Sequence, residues 1–342
     1  MRLPDARGPI GAGLRGWLLG GAMPDPAALV AQVVDAGEVL FDDDLQLSLW
    51  TLYELHYTGF HDVDAAWEWR PETLAVRAAL EAPLEAELRR RTRSAVTSVL
   101  DADGPLAERL FELTETYPGP SLARFMHREA ERWQLQEFLV HASVYHLKEA
   151  DPHTWAIPRI TGRIKAALVE IQFDEYGAGR HDRLHADLYA QTMAACGLSG
   201  EVGGYLDRVP AVTLAHSNVM SLFGLHRRLR GAAVGHLGAF EATSSLPSRQ
   251  VASGLRRLGF GEAAAHYFDE HVVADAVHEQ LAIRAVCQAL ALSEPELEPD
   301  IVFGAVTCLL LDVLLAEQLL SAWQAGLSSL HGAPPGLQNL SA

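Results

Sequence analysis

Apolar residues recur at intervals of three and four through almost every segment of this chain, and the apolar–polar alternation of a strand is hardly seen. The pattern admits amphipathic helices and little else, so the expected fold class is all-α. Helices are expected over 26–38, 42–57, 71–100 and 106–115. After the turn Tyr117-Pro118-Gly119-Pro120, Ser121 is placed to cap a helix over 121–149 that Asp151-Pro152 stops. Further helices follow over 157–176, over 183–195 beyond a break at Gly177 and Gly179, and over 212–244 with bends near Gly224 and Gly235. Pro247 opens a short one, Gly261 precedes one over 262–292, and Pro295 starts the last, reaching about residue 325. The turn at 117–120 divides the chain into an N-terminal helical region, 1–118, a main helical domain, 119–330, and a frayed tail, 331–342. Region 1–118 is expected to pack on the main bundle or against a second copy in a homodimer.

Composition removes several function classes. At 342 residues and 49% hydrophobic content, the chain buries a large core without covalent staples. Three scattered cysteines, Cys196, Cys287 and Cys308, form no CxxC pair, which excludes a zinc knuckle or dithiol motif and fits a reducing cytoplasm. A formal charge of −17 argues against nucleic acid and against an anionic membrane surface, while suiting a cationic small molecule. The apolar run 301–315 contains Thr307 and Asp312 and falls short of the roughly 20 residues of a membrane span. Residues 10–23, interrupted by glycine and arginine, lack a signal-peptide core and read as a flexible lead-in, or as a stretch preceding a start at Met23.

The strongest local signal is His271-Val272-Val273-Ala274-Asp275-Ala276-Val277-His278. On a helix, offsets of four and seven bring His271, Asp275 and His278 to within about 60° of one another. An imidazole, carboxylate, imidazole set without a nearby thiol suits iron, manganese or zinc; taken alone, it is also what a polar helix face looks like. Upstream, Glu241 follows Gly235-His236-Leu237-Gly238-Ala239-Phe240, where a buried carboxylate requires a salt bridge, a proton or a metal. Glu175 stands directly before the Gly177–Gly179 break and ten residues ahead of His185. Ten residues turn a straight helix by about 280°, so the two share a site only if the glycines redirect the chain.

With these residues in view, the chain resembles the haem-oxygenase-like diiron oxidases and oxygenases over roughly residues 121–325. The resemblance rests on His146-Leu147-Lys148-Glu149-Ala150-Asp151-Pro152, on Glu170-Ile171-Gln172-Phe173-Asp174-Glu175-Tyr176-Gly177, and on the HxxxDxxH at 271–278. It implies a haem-oxygenase-like helical bundle with additional N-terminal helices, two iron ions, no haem, and activation of O2. The implied metal ligands are Glu149, Glu175, His185, Glu241, His271, Asp275 and His278. Glu175 also matches the extra glutamate of members that oxygenate nitrogen, which gives it a catalytic role. Four carboxylates would balance two Fe(II) ions and three neutral imidazoles would complete the shells, leaving little net charge to desolvate. Glu149, His185 and His278 are expected to form most of one iron site and Glu175, Glu241 and His271 most of the other, with Asp275 in either or bridging.

Other candidates take plainer readings. Glu54 and His56 are two apart, on opposite sides of a helix. His181 is flanked by charges and reads as surface; Glu279 lacks the second histidine of HExxH, which removes a zinc peptidase. His236 and His266 are possible lone haem ligands, but clustered carboxylates serve no purpose in haem binding. Three functions follow: an N-oxygenase acting on the amine of a small metabolite such as lysine or an aminoimidazole, with O2 and an external electron donor; an oxidase for C–C cleavage or desaturation of a fatty or amino acid, which would need an arginine or lysine anchor, with Arg159, Arg163 and Lys165 as candidates; and a metal-free helical binding protein.

Overall fold

The computed structural model describes residues 1–29, 31 and 38–332, and of residues 273–276 the backbone alone. Among the described residues every regular element is helical, as the periodicity requires. The N-terminal region contributes α1 (Pro9–Leu18), α2 (Asp43–Glu54), α3 (Pro71–Asp101) and α4 (Leu106–Thr116). Proline occupies the first turn of α1 and α3, where no backbone donor is lost, and the Asp42 carboxylate caps α2 by accepting from the amides of Asp44 and Leu45. Then come α5 (Leu122–Arg128), α6 (Arg132–His146), α7 (Gly162–Glu175), α8 (His185–Ala195), α9 (Ala211–Leu225), α10 (Arg230–Ala242), α11 (Ser245–Arg257), α12 (Glu262–Gln280) and α13 (Glu298–Gln324).

Four expectations are corrected. The lead-in is an ordered helix, α1, with Ile10, Leu14, Trp17 and Leu18 buried on one face. The helix expected over 121–149 is two, because Glu131 and Gln134 build a capping box that starts α6 afresh. The 212–244 segment breaks at His226, beside the bend expected near Gly224, but not at Gly235, which lies inside α10. Beyond α12 the helix widens into a π-helical stretch, Leu281–Gln288, before Ala289–Ser293. Of the expected 26–38 helix and the expected frayed tail, residues 30, 32–37 and 333–342 lie outside the described residues.

α13 is the axis of the molecule: α10 lies along it, with α9 and α3 on its other flanks. The α10–α13 crossing is backbone against backbone. A Cβ placed on Gly235 would sit 2.6 Å from the Ile301 carbonyl carbon, and one on Gly304 would sit 2.7 Å from that of Ala232, so glycine alone permits this approach. The apolar segment ending in α13 is longer than the sequence reading allowed. Over Pro295–Gln324 it has the length and hydropathy of a membrane span, yet 61% of its most apolar window is buried by the surrounding helices. α2 packs on α9 and α3 on α13, and Leu49, Trp50 and Leu80 belong to the same apolar core as Leu222, Phe303 and Leu311.

Candidate metal centre

Five segments deliver acids and histidines to one buried place between α6, α7, α8, α10 and α12. Glu149 follows the end of α6, where Ala150 turns the chain through a left-handed conformation (φ 73°). Glu175 is the last residue of α7 and His185 the first of α8. Between them Gly177, Ala178 and Gly179 all take positive φ (68°, 54° and 77°), which is the redirection that the ten-residue spacing demanded. His185 Nδ1 comes to 2.7 Å from Glu175 Oε2. Glu241 is the penultimate residue of α10, and α12 supplies His271 and His278. All six side chains are buried.

The ligand atoms fall into two groups that share Glu175. Atoms of Glu149, Glu175, His185 and His271 lie within 4.8 Å of one another, as do atoms of Glu175, Glu241 and His278. The histidines are thus exchanged relative to the expected partition: His271 stands with Glu149 and His185, and His278 with Glu241. His271 Nδ1 lies 2.9 Å from the Tyr267 carbonyl, to which its N–H donates, so the Nε2 lone pair faces Glu149 Oε2 at 3.7 Å. His278 is oriented the other way round. Its Nε2 lies 3.2 Å from Asp174 Oδ2, while Nδ1 faces Glu175 Oε1 and Glu241 Oε2, each at 3.5 Å. The side chain of Asp275 lies outside the described residues.

These atoms make poor partners for one another. His185 Nδ1 and His278 Nδ1 are buried and accept or donate no hydrogen bond, although carboxylate oxygens stand beside both. Lone pairs that converge without bonding are what ligands of a common cation look like, and oxygen and imidazole donors without thiolate suit iron. The electrostatics are correspondingly tense. Burial raises the Glu241 carboxyl, Glu175 adds to the rise, and His278 offsets it only in part. Burial also opposes charge on His278, but the Glu241 and Asp174 carboxylates outweigh it and push the imidazole up to about 9. Burial works against ionisation of Glu149 too, and there His146 and His271 prevail, holding its carboxyl well below the usual range.

Three neighbours were not found from the sequence. The Tyr267 hydroxyl lies 2.7 Å and 2.9 Å from the Glu149 oxygens and 2.6 Å from His146 Nδ1, and His146 Nδ1 is itself 2.9 Å from Glu149 Oε1. Asp174 orients His278. Two were available as a spacing, since Tyr267 precedes His271 by four and His146 precedes Glu149 by three, whereas Asp174 reaches His278 only through the fold. The residues given plainer readings lie elsewhere. Glu54 is paired with Lys148 (2.9 Å), His56 touches Arg77 and Glu68, and exposed His181 pairs with Asp187. His236 shares a hydrogen bond with His153 in the core, and His266 is half exposed beside Glu270.

A cavity of about 410 Å³ opens onto the centre. Glu149, His271, Tyr267 and His146 form one part of its wall, and Phe138, Phe240, Phe268 and Leu309 make much of it apolar. Among the described residues no lysine or arginine lines it.

An all-helical body with acid and histidine ligands sunk into its core, open to a small-molecule cavity, defines a metal-dependent enzyme of the haem-oxygenase-like class. The chain belongs to the iron-containing redox enzyme family, whose sequence model matches residues 136–313, and it is an oxidoreductase. It is also similar to the nitrosourea synthase of Streptomyces achromogenes subsp. streptozoticus, with 27% identity over 179 residues. That match covers 52% of this chain and 37% of the synthase, so the chain corresponds to well under half of that relative's length.

Proposed function

We propose that this chain is a non-haem diiron N-oxygenase that uses O2 and an external electron donor to oxidise the amine of a small metabolite toward the hydroxylamine or nitro level. The observation that carries the reading is the cavity wall, where Glu149, His146 and His271 meet the centre and, among the described residues, no lysine or arginine is present. A substrate headed by a carboxylate would enter such a cavity without a counter-ion, which disfavours cleavage or desaturation of a fatty acid. The candidate anchors for one are engaged or outside: Arg159 donates to the carbonyls of Gly224 and Leu225, Arg163 is exposed, and neither it nor Lys165 lines the cavity.

Glu149, His185 and His271 would hold one iron and Glu241 and His278 the other, with Glu175 shared and Asp275 completing the set. Iron held by these residues would supply redox chemistry for the activation of O2 toward nitrogen. The chain's own residues do the rest. Tyr267 donates to Glu149 and fixes the orientation of that carboxylate, and the Tyr267 carbonyl fixes the tautomer of His271. An amine reacts through its lone pair, so an ammonium must first lose a proton, and His146, in the cavity wall beside Glu149, is the imidazole positioned to take it. Phe240 and Phe268 keep bulk water from that end. The similarity to an enzyme named for a nitrosourea product supports nitrogen as the atom oxidised.

The test is O2 uptake by the anaerobically Fe(II)-loaded protein, with panels of primary amines and of amine-free carboxylic acids. Faster uptake with amines alone, and products one or more oxygen atoms heavier, are expected. Uptake stimulated only by the carboxylic acids would overturn the reading.

A further inference from the structure

We propose that Asp312, oriented by His216, anchors a second cationic group of the substrate, which makes that substrate a bifunctional base: one amine offered to the metal end, and an ammonium, amidinium or guanidinium held at Asp312. This rests on the amine reading above and specifies its substrate class. Asp312 and His216 line the same cavity as Glu149 and His271. Among the described lining residues only Glu149 and Asp312 are carboxylates, and Glu149 belongs to the metal-centre cluster.

Asp312 is out of character with its helix. It is the one charged residue between Ile301 and Ala316, an otherwise apolar run of α13, where a leucine would pack at no desolvation cost. Among the described residues no lysine or arginine pairs with it. His216 Nε2 donates to Oδ1 at 2.8 Å, while Oδ2 has no partner among the described residues, and the side chain remains 46% exposed. One oxygen is therefore fixed and the other is presented. His216 lies on α9 and Asp312 on α13, two helices that pack together, so the pair is held by the core. A carboxylate fixed this way forms short charge-assisted bonds to an N–H donor, and the mixed apolar and hydroxyl lining (Leu309, Thr213, Ser217) suits the aliphatic body between two nitrogens.

The experiment compares α,ω-diamines of three to six carbons with n-alkylamines of matching length, on Fe(II)-loaded wild type and Asp312→Asn. The readouts are KM and kcat from O2 uptake, anaerobic titration calorimetry of the same amines, and iron content. Wild type is expected to prefer the diamine. Asp312→Asn should raise the diamine KM and Kd by about 10- to 100-fold, the range for losing a charged hydrogen bond, and leave kcat, the monoamine constants and iron content unchanged. Amine oxidation with the same diamine-to-monoamine ratio in both proteins would overturn this proposal and leave the N-oxygenase reading standing. If no amine accelerates O2 uptake in wild type, the N-oxygenase reading fails and the proposal fails with it.

Discussion

Gly235→Ala tests whether the α10–α13 crossing sets the position of the centre. The added Cβ would lie 2.6 Å from the Ile301 carbonyl carbon and 2.9 Å from its Cα, with the carbonyl oxygen nearer still. Ordinary contact begins at about 3.4 Å, and with the oxygen nearer than the carbon the helices must part by more than roughly 0.8 Å. Overpacking of this kind costs about 1–3 kcal/mol. For a chain of 342 residues that is a fall in Tm of about 1–4 °C. Glu241 lies six residues further along α10, less than two turns away, and moves with it. A shift of that size exceeds the roughly 0.5 Å within which a site tolerates displacement, so iron affinity at the Glu175–Glu241–His278 group should drop by about 10-fold or more. Calorimetric melting and anaerobic iron titration read both effects. Gly16→Ala is the control: that glycine is exposed in α1 with open space at its Cβ, and alanine there should stabilise by about 0.5–1 kcal/mol. A Gly235→Ala protein with wild-type Tm and iron affinity would refute the reasoning.

Three further outcomes are expected. Tyr267→Phe removes the hydroxyl that donates to Glu149, and should weaken iron binding at the Glu149–His185–His271 group about 10- to 100-fold with little change in Tm; metal titration monitored by visible absorbance would detect it, and unchanged affinity would count against that hydroxyl orienting the ligand. Glu54→Ala strands the buried Lys148 ammonium 2.9 Å from the lost oxygen and should cost about 3–5 kcal/mol in urea unfolding, whereas Glu54→Leu with Lys148→Met should recover most of it; equal losses in both proteins would contradict the account. Burial lowers His141 from 6.5 to about 3, so it is neutral in the fold: its contribution is complete above pH 6.5 and is lost as pH falls through the window toward 3, amounting to about 2 kcal/mol by pH 5. His141→Gln should flatten stability between pH 7 and 5, and an unchanged slope would assign the loss elsewhere.

What the sequence revealed and what it hid divide along physical lines. Helix class follows from a repeat of three and four, which is local, and the shared face of His271 and His278 follows from the same geometry. Glu175 and His185 were legible as a condition: they meet if the glycines redirect the chain, and three consecutive positive φ angles meet that condition. Which histidine joins which carboxylate was not legible, because it depends on ring orientation, and that is fixed by Asp174 and the Tyr267 carbonyl. The continuity of α10 was misjudged for a related reason. Gly235 reads as a bend in isolation, while in the fold it is a place where another backbone must fit. Asp312 was visible only as an interruption of an apolar run, and it acquired meaning once α9 and α13 brought it to His216 on the wall shared with Glu149.

The central claim is that one buried cluster holds two irons that share Glu175. Iron content measured after anaerobic Fe(II) loading and removal of free metal tests it most directly, in wild type and in Glu175→Ala. The account predicts two irons per chain in wild type and one or none in the variant. Wild type without iron, or a variant that keeps both ions, would contradict it.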